Sequence, residues 1–213
     1  MMKKVIILGK GDLSIKICKW FYSNNGYQLI CVVPVIPEPS WSNSLVEWCD
    51  ENNVNYISSG NYKDIHNDDL SNCDLVMSIF YDKIIKKSFI DKCKKIINLH
   101  NSPLPKYRGV SPINWALKNK EEEHGITIHE ILPGVDDGNI ISQLKYSIYQ
   151  EFDEVIDVYN RALEYGYTLF KNTIPILWKI KPREQNESEA LYYDSTQNNL
   201  LGDRKNFTKK ESK

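Results

Sequence analysis

The chain has 213 residues, enough for one sizeable α/β domain or for a domain with an appendage. Hydrophobic side chains at 41% and charged ones at 26% are the proportions of a soluble globular protein. Its 27 basic and 28 acidic groups leave a net charge of −1, without the basic excess that holds DNA or tRNA by its phosphates, so nucleic acid is not an expected partner.

The five cysteines are odd in number and scattered, with no C-x-x-C. They argue against a disulfide framework and against a zinc site, and for reduced thiols in the cytoplasm. The start, "MMKKVIILGKGD", places lysines before an apolar run, but Val5 to Leu8 is too short for a signal-peptide core. No stretch approaches the roughly 20 apolar residues of a membrane span. A cytoplasmic protein without membrane contact is the expectation.

Short apolar runs alternate with amphipathic stretches through the first half. "KVIILG" (4–9) predicts a buried strand, "LSIKICKWFYS" (13–23) a helix, and "QLICVVP" (28–34) a second strand ended by proline. A helix over 43–53, a short strand over 54–58, and strands over 73–80 and 94–99 follow. This alternation predicts a Rossmann-like α/β fold, a mostly parallel sheet flanked by helices. "SPINWALKN" (111–119) predicts a helix with Ser111 as its cap. Strands over 125–132 and 139–149 are joined through Leu132–Gly138, with Pro133, Gly134 and Gly138 inside, so they should be antiparallel neighbours. A long amphipathic helix spans 153–174, with Asp153 a plausible cap and Pro175 bending or ending it. From Lys181 the chain turns polar. Residues 1–180 read as one catalytic domain and 181–213 as a C-terminal arm, ordered around Leu191–Tyr193 and frayed at its end.

"GKGDLS" (9–14) has the outline of a dinucleotide fingerprint with Ser14 in the third glycine position. No acidic residue closes the second strand, so a tight strand-to-helix turn is the better reading than NAD binding. A substrate phosphate near that helix start remains open. Among the four histidines, His66 reads as a solvated surface residue and His124 as part of a turn. His129 reads equally as a packed sheet residue or a site residue, on the strand face of Thr127 and Ile131. No histidine spacing suggests a metal. His100 stands apart. It follows a strand, where open parallel sheets bind ligands, and Asn98 shares its face two residues earlier. In isolation the pair would be read as turn capping. The loop "LPGVDDGNI", with Asp136 and Asp137, offers a carboxylate that could reach the same strand end.

Taken together, "NLHNSPLPKYRGVSPINWAL", "GITIH" and "GVDDGNII" resemble the folate-dependent formyltransferase family. Its pattern of N-x-H, then S-x-L-P-x-x-x-G, then D-x-G is matched by Asn98, His100, Ser102, Leu104, Pro105, Gly109, Asp136 and Gly138. His100 and Asp136 stand 36 positions apart, the family's spacing for Asp136 and not for Asp137. The resemblance is strong over about residues 73–150 and only an outline before them.

The resemblance implies formyl transfer from N10-formyltetrahydrofolate, as co-substrate and with no metal, to an amine. His100 would accept the amine's proton, Asn98 would donate to the growing oxyanion, and Asp136 would orient and stabilise the imidazolium. "SIFYDKII" (78–85) resembles the segment that lines the folate pocket, implying Phe80, Tyr81, Lys83, Ile84 and Ile85 as cofactor-binding, with Val135 and Asp137 from the second loop. One of the X-Pro bonds at Pro103 and Pro105 is expected to be cis. Of the family's branches, the sugar N-formyltransferases are the most similar. They imply a nucleotide-linked, dTDP-type amino-dideoxy sugar as substrate, a role in surface glycan synthesis, and a homodimer. Substrate contacts would fall on Gly9, Lys10, Trp41, Ser102, Pro103, Tyr107, Arg108 and Tyr192. Trp41 could stack on a base or sugar, or be a plain loop aromatic, with neither reading preferred. The alternatives are a glycinamide ribonucleotide or other small-amine formyltransferase, and a folate-fold binding protein without catalysis.

Overall fold

A computed structural model describes residues 2–205. The expected fraying of the last residues, 206–213, lies outside the described residues. The chain divides into two compact units, the first made of 1–99 with 130–133 and the second of 100–129 with 134–213.

The first unit holds four strands in the order β2-β1-β3-β4, all parallel: β1 (Lys3–Gly9), β2 (Tyr27–Pro34), β3 (Leu75–Ile79) and β4 (Ile96–His100), the last residue of β4 opening the second unit. Every residue of β3 is buried, as are Val5 to Leu8 of β1, which is how strands covered on both faces must read. Helix α1 (Gly11–Ser23) follows β1, and three short helices, α2 (Leu45–Glu51), α3 (Asn67–Asn72) and α4 (Lys87–Ile90), connect the rest. The core on one side packs Ile6, Leu8, Val33, Val76 and Phe89 together. Each such side chain contributes about 1.5–3 kcal/mol by leaving water. The chain passes from β1 to one neighbour and then back to the other, so the order reverses between the carboxyl ends of β1 and β3. At that point Gly9 comes so near Ile79 that a Cβ would lie 2.8 Å from its carbonyl oxygen. The first glycine of "GKGDLS" is therefore needed for a close strand-to-helix turn.

The second unit holds β6 (Glu123–Glu130, whose final residue belongs to the first unit) and β7 (Ile140–Ser147) as an antiparallel pair. A two-residue parallel pair joins β5 (Arg108–Gly109) to β8 (Tyr192–Tyr193). Helices α5 (Pro112–Lys118) and α6 (Val155–Thr173) pack through Ile113, Ala116, Val158 and Ala162. Leu104–Pro105 is the cis bond expected in this segment, and Ile36–Pro37 is a second. All five cysteines are free. No helix of the described residues is long and apolar enough to cross a membrane.

Four local expectations are corrected. The strand over 54–58 shrinks to one bridge between Tyr56 and Val32, because the chain turns away at Gly60 after two hydrogen bonds. Ser111 stands at the start of α5 but does not cap it. Its backbone is left-handed (φ 53°), whereas a capping hydroxyl needs extended backbone to face the helix amides. Asp153 does not cap α6 either. Glu154 does, in a capping box with Asp157, while the Asp153 carboxylate pairs with Arg161 (2.7 Å) and accepts from the Tyr149 amide (2.8 Å). His124 is not in a turn but inside β6 and fully buried.

Candidate active site

Strand β4 buries Ile97 and Leu99 on one face, so Asn98 and His100 share the other. Beyond it, residues 101–109 form a braced loop. Ser102 Oγ donates to the Lys106 carbonyl (2.8 Å), and the Leu104 amide donates to Thr127 Oγ1 (3.2 Å). Tyr107 takes a left-handed backbone (φ 64°) and Gly109 a φ of 90°, with the Tyr193 carbonyl so close that no Cβ would fit at Gly109. This shape returns the chain twice to the same place. The Tyr107 carbonyl lies 2.9 Å from His100 Nε2, and the Gly109 amide donates to Asp136 Oδ2 at 2.9 Å.

Asp136 sits between two imidazoles. Its Oδ2 is 3.5 Å from His100 Nδ1 and its Oδ1 is 3.5 Å from His129 Nε2. The two rings meet edge to face at 6.2 Å. The carbonyl of Tyr107 can only accept, so His100 Nε2 must carry a proton. The lone pair of neutral His100 is then on Nδ1, facing Asp136. Burial is the main force on His100 and pushes its pKa below the usual value, with the Asp136 charge pulling the other way. Burial alone would raise the Asp136 pKa. The histidines and the Gly109 amide outweigh it and hold the carboxyl well below its usual range. Burial thus favours a neutral imidazole beside a carboxylate, with Nδ1 the ring position open to a second proton.

The other expected site residues divide by unit. In the first, Gly9 and Lys10 form the β1–α1 turn, and Trp41 is about half exposed (48%). Tyr81 and Lys83 both donate to the Gly60 carbonyl, at 2.7 and 2.6 Å. Phe80 has a left-handed backbone, Ile84 is exposed, and Ile85 belongs to the core. In the second, Ser102 and Pro103 are buried in the braced loop, while Tyr192 and Val135 are exposed. Tyr107 is buried, with its hydroxyl on Glu121 (2.7 Å). Arg108 points its guanidinium at Gln185 and Glu187. The Asp137 carboxylate lies against Gly134. Two more residues lie at the site: His129, which the sequence left evenly open between a packed and a site role, and Gln185, which it did not single out. Alternation along β6 put His129 on the face of Thr127, a residue that braces the loop, and that is the signal that could have decided it.

His124 carries a consequence for stability. Its Nε2 faces the Asn101 carbonyl (3.0 Å), so Nδ1 is the unprotonated nitrogen, and Nδ1 has no hydrogen-bond partner among the described residues. A proton there would be buried without an acceptor, and burial pushes the His124 pKa down to about 4. The unfolded chain binds that proton near pH 6.5 and the folded chain does not, so stability falls as pH drops from 6.5 toward 4. The loss from this group is expected to be about 3 kcal/mol at full extent. Urea unfolding at stepped pH measures it. His124→Gln, which keeps a donor for Asn101, should flatten the slope, and an unchanged slope would reject the assignment.

A family model described as "Formyl transferase" matches residues 31–174 of the chain. A methionyl-tRNA formyltransferase of Streptococcus uberis is 28% identical over 205 residues, covering 90% of this chain and 65% of its own length. The chain thus spans just under two thirds of that curated relative. Two solved structures are also similar. The N-formyltransferase of Helicobacter canadensis, in complex with folinic acid and dTDP-3-aminofucose, is 29% identical with a TM-score of 0.79, over 92% of this chain and 72% of its own. A sugar 3N-formyl transferase, in the presence of dTDP and 5-N-formyl-THF, is 28% identical with a TM-score of 0.77, over 92% of this chain and 70% of its own. The fold is theirs, a mostly parallel sheet flanked by helices.

Proposed function

We infer, from the premise that the chain belongs to the formyl transferase family, that it moves a formyl group from N10-formyltetrahydrofolate to the amine of a nucleotide-linked amino sugar. The observation that carries the reading is the buried His100–Asp136 pair at the end of β4, 3.5 Å apart, with the Tyr107 carbonyl on the other ring nitrogen. The sugar, of dTDP type, is favoured by the ligands of the two similar solved structures. The even charge of the chain weighs against an acceptor held through many phosphates.

The amine must attack as the neutral base and shed a proton as the new C–N bond forms. His100 Nδ1 takes that proton, becoming a cation with one N–H to Tyr107 and one toward Asp136. Asn98, on the same strand face, donates its amide N–H to the oxygen on which negative charge grows. From the resemblance, Phe80, Tyr81, Lys83, Ile84, Ile85, Val135 and Asp137 are the proposed folate contacts, and Trp41 and Tyr192 are among the proposed sugar-nucleotide contacts. Residues 181–213 serve as an arm to a transfer domain of residues 1–180.

The test is direct. Purified protein with N10-formyltetrahydrofolate is offered dTDP- and UDP-linked amino sugars, methionyl-tRNA and glycinamide ribonucleotide. Tetrahydrofolate released only with a sugar supports the reading. Release with another acceptor overturns the sugar assignment, and release with none overturns the activity. Asn98→Ala should lower kcat by about 10²-fold or more if the amide serves the oxyanion. Steady-state rates near those of the unaltered protein would remove Asn98 from that role.

A further inference from the structure

The polar segment after α6 would pass for a solvated tail. The structure ties it down. Arg183 and Ile140 exchange two backbone hydrogen bonds, at 2.7 and 2.9 Å, two residues before Gln185. Gln185 then uses its whole side-chain amide. Oε1 accepts from Arg108 Nε (3.1 Å) and Nη2 (2.9 Å), and Nε2 donates to the carbonyls of Asp136 (2.8 Å) and Gly138 (2.7 Å). Arg108 has only donors and the two carbonyls only accept, so the amide can face in one sense alone. Arg108 is anchored in turn by Glu187, at 3.0 and 2.6 Å. The residue whose carbonyl Gln185 holds has a left-handed backbone, φ 52° at Asp136, which L side chains rarely adopt and which needs its surroundings to maintain it.

We propose that Gln185 is a positioning residue: by bridging Arg108 to the carbonyls of Asp136 and Gly138, it holds the Asp136 carboxylate in register with His100. This deepens the reading of the site as a formyl-transfer centre and rests on it for its kinetic consequence. One of its partners, Arg108, is fixed independently of Asp136. Arg108 belongs to β5, and the Gly109 amide beside it already donates to Asp136 Oδ2. Strand β5 and Gln185 thus grip the Asp136 residue from its carboxylate and from its backbone.

Two variants separate the halves of the amide. Gln185→Glu keeps an acceptor for Arg108 but sets a charged oxygen against two carbonyl oxygens. Gln185→Met keeps the length and removes all four bonds. In each, kcat should fall about tenfold to a hundredfold, because a displaced carboxylate leaves the chemistry misaligned. KM for the amine acceptor should stay within about threefold, with Gln185→Glu at least as impaired as Gln185→Met. A second readout does not need activity. The titratable groups acting on His100 are Asp136, His129 and His124, with the Tyr107 carbonyl on Nε2. If Gln185 places Asp136, the His100 titration followed by nitrogen NMR should move to lower pH in Gln185→Met, which adds no charge of its own. An inactive unaltered protein would defeat the transfer reading and leave this measurement intact. Both variants within about twofold of the unaltered kcat, with an unmoved His100 titration, overturn the proposal. Should neither variant fold, exchange in the unaltered protein decides. Its Gln185 side-chain amide protons must exchange far more slowly than exposed amides, and equally fast exchange overturns the bridge.

Discussion

Replacing His100 by Asn is expected to lower kcat by about 10²- to 10⁴-fold, the range over which a positioned general base contributes. The shorter asparagine gives up the bond that Nε2 makes to the Tyr107 carbonyl, but the loop of 101–109 keeps its braces from Ser102 to Lys106 and from Leu104 to Thr127. The asparagine cannot accept a proton in the range where an amine sheds one. The loss should therefore appear in kcat, with thermal unfolding and folate affinity little altered. Tetrahydrofolate release at saturating substrates gives the first quantity, and circular dichroism and ligand titration give the others. A rate within tenfold of the unaltered protein would mean that another group or water takes the proton. The same variant separates the enzyme from a folate-fold binding protein. A binder would show no turnover before the substitution, and would hold the same ligands after it.

The sheet was legible because its strands obey a simple physical rule. "KVIILG", "LICVVP" and "LVMSI" are continuous apolar runs, which only strands covered on both faces can bury. The antiparallel β6–β7 pair was legible from the short Gly- and Pro-containing loop between two alternating runs. The helix starts were misjudged where local chemistry competed. Asp153 is a good capping residue by type, but Arg161, two turns along α6, offers its carboxylate a bidentate partner. Within the site, His100 and Asp136 were readable because the resemblance fixed their spacing. Gln185 was not, since an amide that bonds backbone carbonyls 47 and 49 residues away leaves no periodicity in the sequence. Arg108 was expected at the substrate from the resemblance. In the structure its guanidinium is held by Gln185 and Glu187 of the arm, contacts that the motif alone does not announce.

Replacing Asp136 by Asn tests the other half of the pair and should cost about 10²- to 10⁴-fold in kcat, since a neutral amide in place of an orienting carboxylate strands the charged imidazole. The side chains match in size, but the amide has one acceptor where the carboxylate has two. If its oxygen keeps the Gly109 amide, its NH₂ group must face His129 Nε2, where a carboxylate oxygen stood. If it turns over, the NH₂ group faces the Gly109 N–H and covers the Nδ1 lone pair of His100. Either way the cation formed at His100 loses its counter-charge in a buried place. The pH profile carries the sign. His100 must be neutral to act, and burial already holds its pKa below 6.5, so the acid limb of kcat/KM in the unaltered protein should lie below pH 6.5. The Asp136 charge is the force that raises that pKa, so in the Asn variant the limb should move lower still, as a slower enzyme that tolerates more acid. A limb that stays in place, or moves up, would show that Asp136 does not act on His100 through its charge.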